Sequence, residues 1–262
     1  MNAPSLLNLL SANNIVIFML IFTRLTGLFQ SAPFISTIKA PTMTRIWFAG
    51  CVAFLFYPLI HASKNFILPN SMPEFIVLLA IEFFVGYLIG FVANLILEGV
   101  RMTGSIISIQ TGLSMSEALD PATGVSSNEI SRIFIYLATL IFIGTGAYQI
   151  LFVALYNSYS AIPMGVFPLL DGNLVSAFIQ LFGHMFKIAF GVALPIFSVL
   201  LISDVLLGLM SKMMPQMNIY MVALPVKIYI GFFLIFAFLS AISIYLQGTI
   251  EKYMHAINMI FT

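Results

Sequence analysis

Long apolar stretches alternate with short clusters of Pro, Gly, Asn and Ser, and this punctuation predicts a chain of long apolar helices joined by loops. Six apolar segments stand out: Asn14 to Ile38, Ile46 to Ile60, Phe75 to Leu97, Ile133 to Tyr156, Leu174 to Ile202 and Ile219 to Leu246. Five have the roughly 20 residues that a helix needs to cross a bilayer. The second is shorter and contains Pro58, so it predicts a tilted or partly inserted segment, or half of a hairpin held by its neighbours.

Two boundaries carry a capping box. Ser71-Met-Pro-Glu74 and Ser126-Ser-Asn-Glu129 each place a Ser three residues before a Glu ahead of an apolar run. The serine oxygen accepts from a backbone N–H that a helix start leaves orphaned. Proline, glycine and asparagine mark the other connections, at Pro33 and Pro41, at Pro69 to Pro73, and from Pro163 to Gly172. The third connection is of another kind: Arg101 to Glu129 is long, rich in small and polar residues, and dotted with Ile, Leu and Met, which predicts a functional internal loop.

Composition turns these helices into a membrane protein. The chain has 262 residues, 61% hydrophobic and only 7% charged, against about 25% charged in an ordinary soluble domain. Lipid or partner subunits must therefore cover most of its outside. Ten Lys and Arg against nine Asp and Glu are scattered singly, without the basic stripe that nucleic-acid binding requires. No Lys or Arg precedes the first apolar run, which predicts that this run is kept rather than removed as a leader. Counting Lys and Arg across six crossings puts both termini outside the cytoplasm.

Catalytic chemistry finds no foothold. His61, His184 and His255 lie far apart in sequence without metal-ligand spacing, no glycine-rich phosphate loop is present, and Cys51 sits inside an apolar run. These features predict no enzyme, no metal and no cofactor.

Ionisable residues inside apolar segments each cost a few kcal/mol at a bilayer centre and so face protein or water. They are Arg24, Glu82, Lys187 and Lys227, with Glu98 and Arg101 near a segment end. One reading makes them an ion or proton path; the plainer reading makes them polar contacts between helices or subunits. Glu82, Gly86, Gly90, Asn94 and Glu98 favour the second, since they recur every four residues along one helical ridge. The two glycines would form a groove for another backbone, and the polar groups would bond across it.

Three stretches resemble the FliR family of flagellar biosynthetic proteins and the related type III secretion injectisome subunits. The first is Gly104-Ser-Ile-Ile-Ser-Ile-Gln110-Thr-Gly112-Leu-Ser-Met115-Ser-Glu-Ala-Leu-Asp120-Pro121. The second is Gly208-Leu-Met-Ser-Lys-Met-Met-Pro215-Gln216-Met-Asn218 with Leu224-Pro225-Val-Lys227. The third is Ser31-Ala-Pro33 to Arg45, closing on Tyr57-Pro58. Lys212 stands where an Arg is commoner in the family, and Gly144-Thr-Gly-Ala-Tyr148 lacks a His often seen there.

The resemblance implies an all-α integral membrane protein, one membrane domain over 1–262, of about six kinked helices arranged as hairpins in a multi-subunit export gate. It implies assembly with FliP and FliQ, contact with FlhB, and a place in the bacterial inner membrane, largely toward the periplasmic side. Unfolded flagellar proteins would be the cargo. Residues 101–129 would hold a pore plug, with Ile109, Gln110, Thr111, Gly112, Leu113, Ser114, Met115, Ser116, Asp120 and Pro121 as its gating residues. Gly104, Gly112 and Gly124 would give its bends. Two alternatives remain open at this point: a secondary transporter using Arg24, Glu82, Lys187 or Lys227 as coupling groups, and an assembly scaffold without a gating role.

Overall fold

The computed structural model describes residues 12–33, 41–61, 69, 71–114, 128–165, 172–214, 216 and 219–260. Every element among them is a helix: α1 Ala12–Ser31, α2 Thr42–His61, α3 Met72–Thr111, α4 Glu129–Gly144, α5 Ala147–Ala161, α6 Gly172–Met213 and α7 Ile219–Ile260. Five have the length and apolarity to cross a membrane, and the α4–α5 pair supplies a sixth crossing if the two form one broken span.

Besides α1, which ends at Ser31 rather than Ile38, four differences from the expectation stand out. The second segment is not short, because Thr42 to Arg45 join it and bring α2 to 20 residues. Pro58 lies inside it and lacks the N–H that would bond back to the Phe54 carbonyl. The fourth segment is not one helix, since it breaks at Thr145 and Gly146, and Gly146 takes φ +70. That left-handed backbone is cheap only for a residue without Cβ.

The third correction concerns the long connection. α3 continues through Arg101 to Thr111 and is 40 residues long, so the first third of the expected loop is helix. Ser105, Ile106, Ile107 and Ile109 lie within this helix, and Gly104 packs against the backbone of Ser131 instead of giving a bend. Fourth, α6 and α7 run past Ile202 and Leu246 to 42 residues each.

The first capping box forms as expected: Glu74 N donates to Ser71 Oγ at 3.4 Å. At the second, Ser126 lies outside the described residues and the N-cap is Asn128, whose Oδ1 accepts from Ser131 N at 3.2 Å. Asn is as good a cap as Ser, and here it stands directly before the first helical residue.

The chain divides into two compact units, one of residues 1–94, 146–179 and 252–262, the other of residues 95–145 and 180–251. In the first, Leu20, Leu25, Leu28 and Phe29 of α1 are fully buried with Ala49 and Ala53 of α2, Ile89 of α3 and Leu151 and Ala154 of α5. In the second, Val100 and Ile107 of α3 are fully buried, as are Phe142 of α4, Ile196 and Leu200 of α6 and Leu246 of α7. Outside these cores the surface stays apolar. Trp47 is 75% exposed, Leu140 69% and Phe236 73%; burying side chains of this size is worth about 1.5–3 kcal/mol each, so water is not their natural neighbour.

Candidate functional site

Two polar clusters stand inside these apolar helices, one in each unit. The first begins with close backbone approach. A Cβ on Gly86 of α3 would meet the Arg24 carbonyl of α1, one on Gly90 would meet Ser31 Oγ and the Leu28 carbonyl, and one on Gly27 of α1 would meet the Phe83 carbonyl. Glycine on both helices thus lets the two backbones touch, and Ser31 Oγ donates to the Tyr87 carbonyl at 2.8 Å across the seam. The expected groove at Gly86 and Gly90 is present and is filled by this chain's own α1. Gly27, its counterpart on α1, stands between Thr23 and Ser31 at four-residue spacing, a row of small residues that marks it in the sequence.

At this seam Arg24 and Glu82 are fully buried and paired, Nε to Oε2 at 2.5 Å. Both make further hydrogen bonds. Arg24 Nη1 donates to Ser158 Oγ at 3.1 Å and Nη2 to the Ile162 carbonyl at 3.2 Å, while Glu82 Oε1 accepts from Gly165 N at 2.9 Å. The guanidinium also lies 4.0 Å from the centre of the Tyr159 ring, a cation–π contact. The pair therefore clamps the end of α5 and the turn after it to α1 and α3.

The second cluster lies at the end of α3. Gln110 Nε2 donates to Asp204 Oδ2 of α6 at 2.8 Å, and Asp204 Oδ1 pairs with Lys227 Nζ of α7. Beside it the Thr111 methyl occupies the space that a Cβ on Gly231 would need. α3 then stops: Gly112 takes φ +84, its N–H returns to the Ile109 carbonyl at 3.2 Å, and Leu113 and Ser114 continue the turn. Ile109 points out of the chain, 65% exposed.

Ile109, Gln110 and Thr111 are thus the last turn of a helix, and Gly112 to Ser114 are the turn that follows; Met115, Ser116, Asp120 and Pro121 lie outside the described residues. Among the remaining candidates, Glu98 and Arg101 pair with each other one turn apart on α3, Arg101 Nη1 to Glu98 Oε1 at 2.8 Å. Asn94 is half-buried on the same helix. Lys187 is exposed on α6 and pairs with no carboxylate among the described residues. Gln216 is an exposed turn residue and Pro225 lies inside α7, while Pro215 and Asn218 lie outside the described residues.

Asp204 is the member that sequence alone missed. It stands two residues beyond Ile202, the expected end of the fifth segment, so it was not counted as a charge within a helix. The signal was available in Leu200-Leu-Ile-Ser-Asp204-Val-Leu-Leu, where one carboxylate interrupts a run that is otherwise apolar on both sides.

The sequence profile of the family described as "Bacterial export proteins, family 1" matches residues 15–253. The chain is 29% identical over 234 residues to the flagellar biosynthetic protein FliR of Bacillus subtilis, covering 88% of this chain and 89% of that protein. It is 27% identical over 224 residues to FliR of Escherichia coli, covering 84% and 83%. It is 30% identical over 223 residues to the surface presentation of antigens protein SpaR of Shigella sonnei, covering 85% and 84%.

Proposed function

The chain belongs to the bacterial export proteins, family 1, and from that premise we propose that it is a structural and gating subunit of the flagellar type III protein export channel. In this reading it assembles with FliP and FliQ, is contacted by FlhB, lies in the bacterial inner membrane toward the periplasmic side, and lets unfolded flagellar proteins pass. It acts by position and displacement and catalyses no reaction. The likeness to FliR over most of both chains supports the flagellar assignment.

The observation that carries the gating role is the way α3 ends. A helix of membrane-crossing length stops at Thr111 and hands over, through Gly112 with φ +84, to Leu113-Ser-Met115-Ser. Such a segment joins apolar side chains that seal against other side chains to hydroxyls that tolerate water. A closed gate must stop ions, and a passing chain must displace the seal. The exposed apolar faces of α6 and α7 fit partner helices that replace lipid, in keeping with a multi-subunit wall.

The transporter alternative needs Arg24, Glu82, Lys187 or Lys227 as a mobile coupling group. Arg24 and Glu82 are engaged with each other and with fixed backbone groups, which counts against these two in that role. Deleting Thr111 to Ser116 in cells carrying the complete apparatus tests the proposal. A raised resting ion leak with assembled complex still present is expected; unchanged leakage and unchanged export would overturn the plug.

A further inference from the structure

The root of the plug segment is tied down by a single carboxylate, and we propose that Asp204 is a positioning residue of the gate: an ionic latch that seats the end of α3 against α7 while the channel is closed. This rests on the plug reading above.

Asp204 is the only charged residue in Leu200-Leu-Ile-Ser-Asp-Val-Leu-Leu, and a charge in such a stretch must be matched by protein or water. Its two oxygens go to two different helices, Oδ2 to Gln110 at the end of α3 and Oδ1 to Lys227 near the start of α7. On α7, Leu224, Lys227 and Gly231 follow at three- and four-residue spacing and so share one face. That face receives consecutive residues of the α3 terminus: Leu224 Cδ2 lies against Gly112, Lys227 meets Gln110 through Asp204, and Gly231 accommodates the Thr111 methyl. The contact therefore fixes the residues from which the plug segment departs. Removing the charge at its centre unlinks Gln110 from Lys227.

A latch must also release, and exposure separates this pair from the other buried one. The Arg24 and Glu82 side chains are both 0% exposed, whereas Lys227 is 18% and Asp204 39% exposed. Breaking a fully buried pair leaves uncompensated charges; the Asp204–Lys227 pair is not enclosed by this chain, so groups from outside it can take over the two charges when it opens. The Asp204 cluster is the one suited to parting during passage of a chain.

The test is made in cells carrying the full export apparatus, with Asp204→Asn, Asp204→Glu, Lys227→Met and the exchange of Asp204→Lys with Lys227→Asp in one chain. Asp204→Asn is expected to raise resting ion leakage severalfold at unchanged abundance of assembled complex. Asp204→Glu and the exchange are expected to restore the seal, and leakage that changes at constant abundance of complex is the readout a role in folding alone does not move. Should Asp204→Asn lower the amount of complex, Lys227→Met carries the test with the same leak expected. Wild-type leakage in these variants, with a leak in the Thr111 to Ser116 deletion, would overturn the latch and leave the plug standing. No leak in the deletion overturns the plug, and the latch with it.

Discussion

Arg24 of α1 and Glu82 of α3 form a fully buried ion pair that also bonds Ser158 Oγ, the Ile162 carbonyl and the Gly165 N–H. These two charges, 58 positions apart in sequence, join three helices and the turn after α5. They read as structure rather than as a path for ions, because both charges are also tied to fixed backbone groups.

Removing one partner should be far worse than removing both. Glu82→Leu leaves the Arg24 guanidinium buried without its counter-charge, an effect of about 3–5 kcal/mol. Arg24→Met combined with Glu82→Leu should recover much of that loss. Thermal unfolding of the detergent-purified assembly checks the order; a double variant no more stable than Glu82→Leu would show that the pair is valued for its charge.

Glycine positions on one protein separate close packing from free space. A Cβ on Gly86 meets the Arg24 carbonyl, whereas one on Gly183 of α6 meets nothing within 4 Å. Gly86→Val should cost about 1–3 kcal/mol or more by overpacking and lower the amount of protein in membranes. Gly183→Ala should match or slightly exceed the parent in a quantitative blot of the same membranes. Equal levels for both would contradict the backbone contact between α1 and α3.

The break between α4 and α5 makes a conformational prediction. Gly146 at φ +70 pays nothing for a left-handed backbone, while a residue with Cβ costs roughly 1–2 kcal/mol there. Gly146→Val should lower the unfolding temperature of the assembly, and Gly144→Ala, which has open space around it, should not.

At the helix start, Asn128→Ala removes the oxygen that accepts from Ser131 N. The expected loss is about 1 kcal/mol, read as earlier thermal unfolding. Asn128→Ser should hold most of the parent value.

Much of this was legible in the sequence because a bilayer-length apolar run admits few structures. The groove at Gly86 and Gly90 was visible because its members repeat at four-residue intervals, and Ser71 was visible as a cap by its spacing to Glu74. The end of α3 was not. Thr103, Gly104, Ser105 and Thr111 read as loop by composition, yet in helix their small side chains admit neighbours: Thr103 Oγ1 donates to the Ala189 carbonyl of α6 at 3.1 Å, and Ser131 Oγ to the Arg101 carbonyl at 3.1 Å. Tertiary contacts that no local pattern announces thus sustain the helix. Asp204 escaped for a different reason: the apolar run continues past it through Val205-Leu-Leu-Gly-Leu-Met210, while the expected segment stops at Ile202.

The central claim, that this chain forms part of the wall and the plug of a protein-export channel, is tested most directly by a photo-crosslinker at Met115. An export substrate is stalled in cells by a tightly folded domain at its trailing end, and the crosslinked products are identified. The account predicts adducts between Met115 and the stalled polypeptide that vanish when no substrate is trapped. Adducts with partner subunits alone, identical with and without a stalled substrate, would contradict it.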